Sequence, residues 1–178
     1  MSYAIKRQLT RVFLFVHFLG LTLSLGTIFT NILIERYTSA GSLELLSTGR
    51  DLVTLSSHNL IQTGFLITVF SGILVALLRY GIRAPLWAWI KLGISIVIFT
   101  TVILVFDPAG TITTEWARWS AEHGRLAPEY LESLTRSRRL GLFVLSLFLI
   151  TTIVAIWKPM WPGLRRRREA RAAASQAS

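Results

Sequence analysis

Four long runs of this 178-residue chain carry almost no charge, and they restrict the fold more than any other feature. Residues 12–34 and 52–78 contain no Asp, Glu, Lys or Arg. Residues 84–106 contain only Lys91, and residues 140–157 contain none. A helix needs about 20 apolar residues to cross the hydrocarbon core of a bilayer. Backbone polar groups in lipid must be satisfied within the segment itself, which a helix achieves. The sequence therefore predicts an all-α integral membrane protein, a four-helix antiparallel bundle with a short helical outer loop. Residues 1–163 form the transmembrane domain, and residues 164–178 form a basic cytoplasmic tail, rich in Ala and Ser and expected to be disordered. The first run is longer than a signal-peptide core. Glu35-Arg36-Tyr37 follows it in place of a small-residue cleavage site, so it reads as a retained helix.

Orientation follows from charge. The net charge of +10 would suggest nucleic acid if the basic residues were scattered. Instead Lys6, Arg7, Arg11, Arg79, Arg83, Lys158, Arg165 to Arg168 and Arg171 all fall on one side of a four-span arrangement. Of the nine acidic residues only Glu169 shares that side. Cytoplasmic loops collect Lys and Arg. The expected location is a bacterial inner membrane, with both termini cytoplasmic and the lipid bilayer, not nucleic acid, as the partner. The basic tail also suits anionic headgroups.

On the outer side, residues 35–51 read as a connection with Gly41 and Gly49. Asp107-Pro108-Ala109-Gly110 reads as the stop of span three. Residues 107–139 then form the largest soluble element, with Thr114 capping a short helix that ends near Gly124 and Pro128 opening the helix that becomes span four. Trp116, Trp119 and Tyr130 fit an interfacial layer. The alternative is a docking surface for a larger membrane complex.

Polar groups at membrane depth are the candidates for function, because burying them in lipid is costly. In span one, His17, Gly20, Ser24, Thr27 and Asn31 recur every three or four residues and share one helix face. That stripe either packs closely against another helix or leaves room for a flat cofactor. His17 and Lys91 both lie roughly 10 Å inside the inner leaflet at a rise of 1.5 Å per residue. Lys91 either snorkels to the interface or faces an interior site. Ser71, Gly72, Thr151 and Thr152 pass the same level. Imidazole is a common haem axial ligand, so this level reads as a cofactor pocket with His17 as a candidate metal ligand, or as a packed level in which His17 is a hydrogen-bonded structural residue. His58, with Gln62 on its face, lies near the outer surface. It is a second metal candidate, or it simply bonds Gln62 or backbone. Cysteine is absent, which removes disulfides and thiolate metal sites. No catalytic triad, phosphate-binding glycine loop or HExxH motif is present.

His17-Phe18-Leu19-Gly20 with Leu23, Leu25 and Gly26 resembles the first helix of CopD-like bacterial membrane proteins. Thr63-Gly64 with Ser71-Gly72-Ile73-Leu74 resembles their second helix, and Trp89-Ile90-Lys91-Leu92 their third. A last helix closing on Lys158-Pro159 is also similar. The HemJ-type protoporphyrinogen oxidases are similar in size and helix count. The likeness implies that His17 and Lys91 are the histidine and lysine that family ties to haem b. Leu21 stands where that family has a tryptophan, and Asn31-Ile32-Leu33-Ile34-Glu35-Arg36 departs from its aromatic-rich helix end. The resemblance thus implies haem binding or electron transfer more than oxidase activity. CopD-like proteins are linked to copper movement, but Met1 and Met160 are the only methionines to serve it. The leading reading is then a b-type haem-binding or electron-transfer protein, in which His17 is a haem b ligand, Lys91 is a second ligand or a propionate partner, and Gly20, Ser24 and Gly72 make room; the rival is a non-catalytic accessory subunit, and a copper or small-solute transporter comes third.

Overall fold

The computed structural model describes residues 3–81 and 84–157. It contains α1 (Tyr3–Thr38), α2 (Leu43–Ser56), α3 (Gln62–Tyr80), α4 (Leu86–Thr101), α5 (Asp107–His123) and α6 (Pro128–Trp157). A π turn at Ser57–Ile61 joins α2 to α3, and another at Val102–Phe106 joins α4 to α5. The result is four continuous rods, Tyr3–Thr38, Leu43–Tyr80, Leu86–His123 and Pro128–Trp157, each long and apolar enough to cross a membrane. The all-α four-helix bundle is as the sequence predicts.

The rods outrun the membrane. The two of 38 residues are roughly 57 Å long at 1.5 Å per residue, against a hydrocarbon core of about 30 Å. The excess gathers at the end away from Tyr3 and Trp157, where the end of α1, α2, α5 and the start of α6 form a helical cap. Its core is Leu46, Ala117, Ala127, Tyr130 and Leu134, with Trp116 and Trp119 packed against it. A second apolar core, Ile61, Phe65, Ile98, Val102 and Val144, crosses the middle of the bundle. Outside these cores the apolar side chains face outward; Phe70, Leu104 and Ile156 are 64%, 67% and 70% exposed. Such a surface is stable only against lipid.

Two expected loops are helix instead. Residues 35–51 are not an outer connection, because α1 runs to Thr38 and α2 starts at Leu43. Only a short turn separates them, closed by Ser42, whose Oγ accepts from the Leu45 N–H at 3.2 Å. Nor does Asp107-Pro108 stop the third rod. A proline lacks the N–H that a regular helix needs and its ring crowds the preceding turn. The wider π turn just before it, where the Asp107 N–H bonds the Val102 carbonyl, lets the helix continue past Pro108. Thr114 is therefore mid-helix and caps nothing; its hydroxyl contacts Thr54 Oγ1 at 2.7 Å. The rod ends at Gly124, which takes the left-handed φ of +63°. The tail at residues 164–178, the Lys158-Pro159 close and Arg83 lie outside the described residues.

The stripe on α1 is a packing face. A Cβ added at Gly20 would lie 2.6 Å from Thr68 Oγ1 and 2.7 Å from the Gly64 carbonyl, and one at Gly64 would lie 2.8 Å from the Gly20 carbonyl. Ser24 donates to the Ile61 carbonyl at 3.2 Å. Asn31 donates to Ser57 Oγ at 3.0 Å and accepts from Ser56 Oγ at 2.7 Å. Small residues thus bring α1 and α3 into backbone contact. We expect Gly20→Ala to destabilise the detergent-solubilised protein by about 1–3 kcal/mol. Gly26→Ala, where an added Cβ meets nothing within 4 Å, should leave thermal stability nearly unchanged. Melting curves of the two variants check this.

In the cap, Arg50 is 3% exposed, and its guanidinium bonds Glu35 Oε2 at 3.0 Å. Arg138 bonds the other oxygen of the same carboxylate at 2.7 Å. Arg50 Nε and the Tyr130 hydroxyl find no partner among the described residues, so Glu35 is the main compensation for the buried guanidinium. Removing one partner of a buried pair strands the other charge. Glu35→Gln is expected to cost on the order of 3 kcal/mol, and Arg138→Gln, at an exposed arginine, under about 1 kcal/mol. Chemical denaturation of both variants tests the difference.

Candidate functional site

The helices associate as two pairs. α1 lies along α3, and α4 lies along α6, while α3 and α4 barely touch. At the cap end the pairs are tied together by α2 against α5. Towards Tyr3 and Trp157 they stand apart and enclose a cavity of about 490 Å³ lined by all four. This falls in the range of small-molecule sites, roughly 300–1,000 Å³. Phe65, Ile98 and Phe148 close its floor, with the two phenyl rings 5.0 Å apart. Thr68 and Gly72 line the α3 wall, and Ser95, Thr151 and Thr152 the α4–α6 wall.

His17 and Lys91 both line this cavity, from α1 and from α4. His17 Nδ1 lies 2.8 Å from the Thr68 carbonyl. A carbonyl oxygen only accepts, so Nδ1 is the donor, and in the neutral ring the lone pair sits on Nε2. Ser71 Oγ, 3.4 Å from Nδ1, is a weaker second contact. The ring rests on Gly72, where an added Cβ would come within 3.1 Å of Cε1 and 3.2 Å of Nδ1. The imidazole is thus oriented from behind by α3 backbone, the arrangement that fixes the tautomer of metal-binding histidines.

The other expected site residues divide. Gly72 does make room, but for the imidazole itself. Gly20 and Ser24 do not line the cavity; they are used up in the contact with α3. Stripe spacing alone does not tell helix packing from a cofactor wall. His58 lies apart, in the π turn Ser57–Ile61 near the cap. Its Nδ1 is 3.3 Å from Gln62 Nε2 and 3.6 Å from an Asp107 carboxylate oxygen. The Gln62 contact is one of the alternatives read from the sequence. Among the described residues no group of three His, Cys, Asp or Glu side chains converges to hold a metal ion. Comparison of the chain with protein-family models, with curated proteins and with solved structures finds no match.

Two residues of the site escaped the sequence reading. Thr68 acts through its backbone carbonyl, which every residue possesses. Its only signal is the spacing Gly64–Thr68–Ser71–Gly72, which sets one small-residue face of α3 against α1. Arg79 is read from the sequence only as one of the basic residues of the inner side, yet it lines the cavity. Of the three residues expected at a docking surface, Tyr130 is buried in the cap core at 2% exposure, while Trp116 and Trp119 are half-buried against that core. Trp119 stacks on His123 with ring centroids 4.0 Å apart.

The imidazole tautomer is directly measurable. With His17 labelled with ¹⁵N, the neutral ring is expected to show a protonated Nδ1 and a bare Nε2. The reverse assignment would remove the Thr68 hydrogen bond and with it the oriented lone pair.

Proposed function

We infer that this chain is a small b-type haem protein of the bacterial inner membrane, in which the cavity between the two helix pairs would hold the haem and His17 would be an iron ligand. The observation that carries this reading is the His17 imidazole, oriented by the Thr68 carbonyl at 2.8 Å and lining an apolar cavity with Lys91 on another wall. The residues fit the group: one free imidazole nitrogen, apolar and aromatic walls, and cationic side chains. The chemistry that a haem supplies is reversible one-electron transfer. The chain's part is to hold the imidazole in one tautomer, to exclude water with the Phe65–Phe148 floor, and to provide Lys91 as a second ligand or a counter-charge. The likeness of His17 and Lys91 to the pair in HemJ-type oxidases, and of the four spans to CopD-like proteins, points the same way. Electron transfer is the activity favoured, since Leu21 and the end of α1 depart from the oxidase pattern. Copper movement draws less support, because His58 gathers only Gln62 and Asp107.

Orientation in the membrane rests on charge. Lys6, Arg7, Arg11 and Arg79 gather at the end of the bundle that holds Tyr3 and Trp157, and cytoplasmic faces collect such residues. The cavity then lies in the cytoplasmic half of the bilayer.

The test is an absorption spectrum of the protein purified in mild detergent after expression with haem supply. A red protein with a Soret band is expected, and His17→Ala should lose at least about nine-tenths of that band while keeping its helical circular dichroism. A colourless wild-type protein that co-purifies with a stoichiometric membrane partner would replace this reading with that of an accessory subunit.

A further inference from the structure

The cavity carries an unbalanced charge. Lys91 of α4 and Arg79 of α3 both line it, and no Asp or Glu is among its described lining residues. Among the described residues neither cation forms a salt bridge. Lys91 is half-buried, whereas Arg79 sits near the end of α3 with its guanidinium over the Tyr80 ring at 5.5 Å. Tyr80 in turn meets Trp87 edge-on, with centroids 5.9 Å apart. One cation therefore stands within the cavity and the other at its mouth, on different helices, above a floor of Phe65, Ile98 and Phe148. A charge in a low-dielectric site is costly unless it is paired. The missing anion is supplied most simply by the ligand.

We propose that Lys91 and Arg79 together recognise acid groups on the ligand, so that the cavity selects an amphiphile with an apolar body and two carboxylates directed toward the terminal end of the bundle. This rests on the haem reading and narrows it. Lys91 serves the acid groups and not the iron, and the ligand's orientation is set by charge. Each contact is a charge-assisted pair, and the planar arginine fork suits a carboxylate at the mouth.

The test compares ferric haem b with its dimethyl ester, which keeps the ring and the iron but has no carboxylates. Both are titrated into the detergent-solubilised protein and followed by the Soret band. The wild type is expected to bind the free diacid at least about tenfold more tightly than the ester, a factor equivalent to roughly 1.4 kcal/mol. Lys91→Gln and Arg79→Gln should each reduce that preference several-fold by weakening the diacid alone. Arg79→Lys should retain most of it. In Lys91→Gln the ligation state read from the ferric spectrum should stay as in the wild type. Equal affinity for diacid and ester would overturn the proposal while leaving haem binding intact, and so would a change of iron ligation in Lys91→Gln. Failure of the wild type to bind either compound would overturn the haem reading itself. Circular dichroism of each variant separates loss of recognition from loss of fold.

Discussion

Lipid offers no hydrogen bonds, so a polar side chain in this bundle either bonds a carbonyl of its own helix, as Thr27 and Thr151 do, or depends on how closely a second backbone approaches. The decisive approach is between α1 and α3 at Gly20 and Gly64, where neither helix leaves space for a Cβ. That contact brings carbonyls of α3 and of the π turn before it within reach of α1 side chains. Ser24 then reaches the Ile61 carbonyl on one side of it, and His17 reaches the Thr68 carbonyl on the other. Bulky residues at the crossing would push the histidine out of range of its partner. The histidine is oriented because Gly20 and Gly64, at the helix crossing beside it, have no side chains.

The opposite end of the molecule is held differently. The cap gathers charges that lipid would not tolerate, of which Arg50 is buried, and it neutralises them with one another. Glu35 at the end of α1 receives Arg50 of α2 and Arg138 of α6, while Asp51 of α2 receives Arg118 of α5 at 2.8 Å. These pairs tie all four rods together outside the hydrocarbon. The terminal end is then free to remain open, with α3 and α4 separated by the cavity. A bundle closed tightly along its whole length would have no site, and one with no cap would have little to keep the two helix pairs together.

The spans, the all-α class and the inward stripe on α1 were legible in the sequence because charge and periodicity follow directly from the membrane as solvent. The shared level of His17 and Lys91 was legible from helix rise alone, and both line one cavity. Several features were hidden for identifiable reasons. Gly20 and Ser24 looked like cofactor walls because small residues serve close packing and open space equally. The Thr68 carbonyl has no side-chain signature. Asp107-Pro108 looked like a stop because proline is a helix breaker in regular α geometry, and nothing local announces a π turn that relieves it. Arg50 looked like a loop residue until α2 proved to continue through it.

Those π turns have a geometric consequence. Each accommodates one residue more than an α-helix would use over the same length. An extra residue corresponds to about 100° of rotation about the helix axis. The inward face of α2 is therefore out of phase with that of α3, and α5 with α4, although each pair forms one continuous rod. This lets a rod present one set of positions to the lipid-embedded bundle and an independently chosen set to the cap. The two π turns lie close together, since His58 in the first is 3.6 Å from Asp107 at the end of the second. They divide the molecule into two tiers whose sequences are free to change separately, one under the demands of hydrocarbon and the other under those of water.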